Sequence, residues 1–265
     1  MYSPLKLAFK YLRYLTTASN GRGHGIHSPF IYAFTKEVLN GKFHSSHWKQ
    51  LERLRTNLKK DQRVLQVNDL GAGSGKLHHH QRSVSSIANT SLKSQKYASL
   101  LGRIVQYYNC EYILELGTSL GITSAYIATT HPKVHLTTLE GVPDIAAVAH
   151  SLFDQLGLYN IELVQGNFDQ TLSGAILKMP RVDLVYIDGN HRKIPTLQYF
   201  ESVLHYANDE TIFVFDDIHW SSEMEDAWEA IRMHPKVTSS IDLFFLGLIF
   251  IRPAFKEPVH TTIRF

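Results

Sequence analysis

Three carboxylates, Asp188, Asp216 and Asp217, stand at the ends of two short, nearly continuous apolar runs, Val182 to Ile187 and Thr211 to Phe215. Such runs read as buried parallel strands, which brings acids at their carboxyl ends to one edge of one sheet. Hard oxygen ligands there suit magnesium, calcium or manganese, and the nearby His191 and His219 would shift the preference toward manganese, iron or zinc. A second constellation lies upstream in Tyr112 to Ser124, which reads Tyr-Ile-Leu-Glu-Leu-Gly-Thr-Ser-Leu-Gly-Ile-Thr-Ser. It holds Glu115, Gly117, Thr118, Ser119, Gly121 and Thr123. Gly117 carries no side chain, so the backbone can turn sharply and a ligand can come close.

A dinucleotide turn needs glycine at three places, the middle one so that pyrophosphate can touch backbone. Here Ser119 takes the middle place and Ile122 the third, which argues against pyrophosphate. Glu115 is also an odd neighbour for phosphate and suits a cationic or hydrogen-bond-donating ligand. S-adenosylmethionine has an ammonium, a sulfonium and no phosphate. Glu140 ends the next apolar run about twenty residues after the turn, where doubly wound folds place a carboxylate on ribose hydroxyls. The pattern Glu-x-Gly-x-x-x-Gly resembles the first motif of class I S-adenosylmethionine-dependent methyltransferases, and the rest of the chain follows that family's order. The nearest resemblance is to the catechol- and caffeoyl-type O-methyltransferases.

That resemblance implies roles. Glu115, Gly117, Thr118, Ser119, Gly121, Thr123, Glu140 and Asp188 would bind S-adenosylmethionine, and Ser91 to Gln95 would line its site. In the family the turn after the third strand holds adenine, and Asn167 and Phe168 match it in kind; Asp169 could instead take the base's amino group. Asp188, Asp216 and Asp217 would hold one divalent cation, Mg2+ or Mn2+, although catechol-type enzymes have an amide where Asp217 stands. His191 occupies the place of the catalytic lysine, which makes His191 and Asp188 the catalytic pair. An imidazole there could take a hydroxyl proton during methyl transfer. It could equally cap the following helix or bind a substrate carboxylate. The asparagine- or aspartate-Pro-Pro-Tyr signature of amino-group methyltransferases is missing after the fifth strand. The resemblance covers about Ser91 to Pro253.

The elements that must position these residues follow from pattern. Strands are expected at Tyr112 to Leu114, Lys133 to Leu139, Ile161 to Val164, Val182 to Ile187 and Thr211 to Phe215. An antiparallel pair, Val237 to Phe245 and Leu248 to Arg252, joined near Gly247, closes the sheet, and Thr261 to Phe265 could add a short strand. Helices are expected after the glycine turn, over Ile145 to Leu156, over Met224 to Arg232, and after Ser94, an N-cap type residue. The expected fold is α/β: a Rossmann-like, doubly wound, seven-stranded sheet, mostly parallel, with an N-terminal helical extension. Residues 1–90 would form that extension with a glycine-rich loop, and residues 91–265 the methyltransferase domain.

The first ninety residues carry other features. Val64 to Lys76 contains Asp69, Gly71, Gly73 and Gly75. It fails the dinucleotide pattern at Lys76, and it fails the P-loop because three residues, not four, separate Gly71 from Gly75-Lys76. A polar run, Leu77 to Asn89, follows with no helix-then-strand pattern. Gly71 to Gly75 therefore reads as a mobile loop, either connector or lid. His78, His79 and His80 are consecutive and point in different directions, a poor metal set. Ser28-Pro29 starts a helix over Phe30 to Leu39, and Phe43 to Lys60 reads as another. Met1 to Ala18 is a basic amphipathic helix, too short and too charged to span a bilayer. It would dock on its own domain, on a second copy in a homodimer, or on a membrane surface.

The formal charge of +3 over 265 residues is too mild to argue for a nucleic-acid partner. The single cysteine, Cys110, excludes an internal disulfide framework and a cysteine zinc cluster, and a reducing, cytoplasmic compartment is the simple expectation. The expected reaction is methyl transfer to an oxygen of a small-molecule acceptor. The alternatives are a nitrogen or macromolecular acceptor on the same fold, or a non-catalytic cofactor-binding module tethered by the basic N-terminal helix.

Overall fold

The computed structural model describes residues 1–68, 79–253 and 257–265. The Gly71 to Gly75 loop and His78 lie outside the described residues. The chain divides into two compact units, Met1–Gly41 with Arg181–Phe265, and Lys42–Pro180.

Helix α1 spans Pro4–Thr17, with Pro4 in the first turn and the Ser3 side chain accepting from the Lys6 N–H at 3.3 Å. Its inner residues Leu7, Tyr11, Tyr14 and Leu15 pack with Phe244 and Phe245. Tyr14 is buried, donates to the Ile263 carbonyl at 2.6 Å and accepts from the Phe265 N–H at 2.9 Å. Ser28 caps α2, Pro29–Ala33, as its Ser-Pro start predicts. The expected helix does reach Leu39, but Phe34–Leu39 is π-helical.

In the other unit, α3 (Trp48–Leu58) is shorter than the Phe43 to Lys60 reading. Strand β1 (Val64–Asn68) pairs antiparallel with β2 (His79–Ser83), and α4 (Val84–Ser91) follows. From His79 onward the polar run is therefore strand and then helix. A strand needs only backbone partners to form, and the apolar contribution comes from Leu65 and Val67, which are buried on β1. Helix α5 (Gln95–Tyr108) starts at Ser94 and buries Leu100, Leu101, Ile104 and Val105. Next come β3 (Tyr112–Leu116), α6 (Ile122–Ala128), β4 (His135–Glu140), α7 (Pro143–Leu156), β5 (Ile161–Gln165) and α8 (Phe168–Lys178). Strands β3 and β4 are parallel from Tyr112 opposite His135 to Leu116 opposite Leu139, and β5 runs parallel on the far side of β4. Both of these crossovers are helices, the usual connection between parallel strands.

The C-terminal part returns to the first unit with β6 (Leu184–Ile187), α9 (Lys193–Leu204), β7 (Ile212–Asp216), α10 (Ser222–Arg232), β8 (Ser239–Asp242), β9 (Leu246–Phe250) and β10 (Val259–Thr262). Every residue of β6 and β7 is buried, which is why both read as continuous apolar runs. Strand β9 is antiparallel to both β7 and β8. The turn of this pair falls at Phe244, with φ 70°, and not near Gly247. Gly247 lies inside β9, where the Trp228 indole leaves no room for a side chain: a Cβ there would lie 2.5 Å from Trp228 Cζ3. The central, mostly parallel sheet has eight strands, not seven. The extra one is β10, which pairs parallel with β8 from Val259 opposite Ser239 to Thr262 opposite Asp242. In order, one unit carries β10-β8-β9-β7-β6 and the other β3-β4-β5, a Rossmann-like α/β arrangement.

Candidate functional site

The glycine turn after β3 is built by three left-handed residues, Gly117 (φ 106°), Ser119 (φ 48°) and Gly121 (φ 82°). Gly121 meets a second demand, since a Cβ would lie 2.8 Å from Phe153 Cε1. The N–H groups of Gly117 and Thr118 both donate to the Leu139 carbonyl, at 3.0 and 3.1 Å, which fastens the turn to the end of β4. Glu115 is fully buried. Its Oε2 accepts from the Ser124 hydroxyl and from the Thr138 hydroxyl, the latter at 2.6 Å, so it ties α6 to β4. Thr118 is also buried, with its hydroxyl 2.6 Å from that of Thr138. Thr123 is buried in the first turn of α6.

Glu140 is fixed from two sides. Its Oε2 accepts from the Ser119 N–H and its Oε1 from the Val142 N–H, both at 2.9 Å. A carboxylate offers about four acceptor directions, so this fixing is compatible with further hydroxyl donors. The Gly166 N–H donates to the Glu140 carbonyl at 2.9 Å. The structure thus brings together the glycine turn, the β4 acid and the β5 turn through direct hydrogen bonds. Asn167 uses its Oδ1 to cap α8, accepting from the Asp169 N–H at 3.0 Å. Phe168, the first residue of α8, is half-buried, and Asp169 is exposed.

In the other unit, Asp188 follows β6, and Asp216, the last residue of β7, is buried. With His191 they form a group whose potential ligand atoms all lie within 4.8 Å of one another. Two hard carboxylate oxygens and an imidazole are a donor set that fits a divalent cation such as manganese. The Tyr186 hydroxyl donates to Asp188 Oδ2 at 2.8 Å, and His191 Nε2 lies 3.6 Å from Asp188 Oδ1. Sequence reasoning missed Tyr186; its signal is its place two residues before Asp188, on the same side of the strand. Asp217 is not in this group. Its backbone is left-handed (φ 52°), with its N–H on the Phe245 carbonyl at 2.8 Å.

His219 is also engaged elsewhere. Its Nδ1 lies 3.0 Å from Glu225 Oε1 and its Nε2 lies 2.8 Å from Asp242 Oδ2. Burial opposes its charge, but the hydrogen bonds and charges of Asp242 and Glu225 outweigh that and hold the imidazole above its ordinary value. Glu225 binds Lys10 Nζ at 2.9 Å and the Tyr2 hydroxyl at 2.7 Å as well, so this network docks α1.

A family model described as a methyltransferase domain matches residues 114–218. This span runs from β3 through Asp188, His191, Asp216 and Asp217. No curated protein matches the chain. Among solved structures, cofactor-bound Rv0187 from MTB is 18% identical with a TM-score of 0.60, over 84% of this chain and 97% of that one. An O-methyltransferase from Bacillus cereus, in complex with SAH, is 17% identical with a TM-score of 0.56, over 83% of this chain and 96% of that one. The O-methyltransferase TomG from Streptomyces achromogenes, in complex with SAM, is 21% identical with a TM-score of 0.53, over 61% of this chain and 82% of that one. Residues 114–218 thus match a methyltransferase domain, and the chain shares its fold with these O-methyltransferases.

Proposed function

We propose that this enzyme methylates an oxygen of a small-molecule acceptor and that Asp188, Asp216 and His191 organise the acceptor end of the reaction. The observation that carries this reading is the acid–imidazole group at the ends of β6 and β7. In the cofactor half, Glu140 would receive the ribose hydroxyls, the backbone at Gly117 would admit the methionine part, and Phe168 with Asn167 would face adenine. A divalent cation, Mg2+ or Mn2+, would be held by Asp188 and Asp216 and would supply charge that lowers the acceptor hydroxyl's pKa. His191 accepts the acceptor's proton as the new O–CH3 bond forms, and S-adenosylhomocysteine leaves with the sulfur's electron pair. Asp188, itself held by Tyr186, keeps the imidazole oriented.

The 3.6 Å approach of His191 to Asp188 also supports a second reading, in which the acid orients the base with no cation present. The two are separated by S-adenosylhomocysteine release from a panel of hydroxylated acceptors, measured with and without a chelator. Loss of turnover with chelator, restored by manganese and absent in Asp216→Ala, is expected of the first reading. Chelator-insensitive turnover that still falls about a hundredfold in His191→Ala points to the second. Turnover unaffected by either substitution would refute both.

A further inference from the structure

We propose that the outer face of α1 is a docking surface for an anionic lipid bilayer. An ordinary surface helix turns apolar residues inward and polar residues outward. Helix α1 does the first but not the second. Its inner side is committed: Tyr11 meets Phe244 edge-on, Tyr14 packs tilted against the same ring and bonds Ile263 and Phe265, and Lys10 pairs with Glu225 at 2.9 Å. On the opposite side Leu5 is 86%, Phe9 70% and Leu12 61% exposed. They recur at spacings of four and three, so they form one stripe along the helix. Lys6 and Arg13 are exposed beside that stripe.

The charge pattern selects the occupant. From Met1 to Lys36 the sequence has Lys6, Lys10, Arg13, Arg22 and Lys36 and no acidic residue. A second copy docked face to face would set Lys6 and Arg13 near their own equivalents with no carboxylate on the face to meet them. An anionic headgroup layer meets them directly, while Leu5, Phe9 and Leu12 enter the acyl boundary, the arrangement of an interfacial helix. No helix among the described residues is long and apolar enough to cross a membrane, so the contact is peripheral.

The test is co-sedimentation of the full chain with vesicles of phosphatidylcholine alone and of phosphatidylcholine with phosphatidylglycerol. The double variants are Leu5→Ser with Phe9→Ser, and Lys6→Gln with Arg13→Gln; all four side chains are exposed, and an unchanged melting temperature certifies the fold. Binding to the anionic vesicles only, weakened about tenfold or more by either pair and by added salt, is expected. No binding to anionic vesicles, or binding that ignores both pairs, overturns the proposal. So does a dimer in sedimentation velocity that Leu5→Ser with Phe9→Ser dissolves while the wild type ignores vesicles. The readout needs no cofactor, so it is independent of the proposed reaction.

Discussion

Gly121 is the residue on which the glycine turn depends most visibly, because its φ of 82° and the 2.8 Å approach to Phe153 both exclude a side chain. Gly121→Ala should lower unfolding free energy by about 1–3 kcal/mol, read from urea denaturation, and should weaken S-adenosylhomocysteine binding with it. Glu140→Ala should strand the Ser119 and Val142 N–H groups at a cost of about 1–3 kcal/mol in urea denaturation, and should lower S-adenosylhomocysteine affinity about tenfold to a hundredfold, read by calorimetry on the folded protein. An unchanged affinity would remove Glu140 from the site. Much of this is legible from residue type, since the glycines, Glu140, Asp188 and His191 announce themselves by spacing. The choice between Asp217 and His191 as partner of Asp188 and Asp216 is not. Neighbours in sequence share a composition signal, and only the fold shows that His191 joins Asp188 and Asp216 in the group. Glu115 is legible as an acid at a strand end, but not as an acceptor of the Ser124 and Thr138 hydroxyls, which lie on α6 and β4.

Elements are legible where burial writes a long apolar pattern, as in β6, β7 and α5, and obscure where backbone pairing alone decides. Strand β2 is His-His-Gln-Arg-Ser, which no hydrophobic period marks; it exists because β1 offers it a ladder. The short strand expected at Thr261 to Phe265 lies a little earlier, at Val259–Thr262, and the Tyr14 hydroxyl bonds Ile263 and Phe265 just beyond it. Tyr14→Phe removes both bonds and strands the Ile263 carbonyl and the Phe265 N–H. It should cost about 1–3 kcal/mol in chemical denaturation. In β10, burial and then the Arg232 charge hold His260 below its ordinary 6.5, and its Nδ1 lies 2.8 Å from the Ser240 hydroxyl. A histidine depressed in the folded state binds fewer protons there than when unfolded, so stability falls as pH drops below 6.5 toward the folded pKa and levels off beneath it. Protection at Val259 to Thr262, taken relative to the intrinsic exchange rates, should therefore fall as pH drops below 6.5, and His260→Gln should flatten the change.

At the scale of the whole molecule, strand order, helical crossovers and the acids at strand ends all agree with one ligand class, and that agreement across levels is what makes the fold legible in the sequence. The two-unit division is not legible there, because Met1–Gly41 joins Arg181–Phe265 through contacts more than two hundred residues apart, such as Tyr2 to Glu225. The most direct test of the proposed chemistry is calorimetric titration of the whole protein with S-adenosylhomocysteine, with and without manganese, beside NAD as control. The account predicts micromolar binding of S-adenosylhomocysteine and none of NAD. It also predicts a separate manganese isotherm that disappears in Asp216→Ala while S-adenosylhomocysteine still binds. Absence of S-adenosylhomocysteine binding would contradict the cofactor site built from the glycine turn and Glu140. A manganese isotherm untouched by Asp216→Ala would contradict the metal assignment.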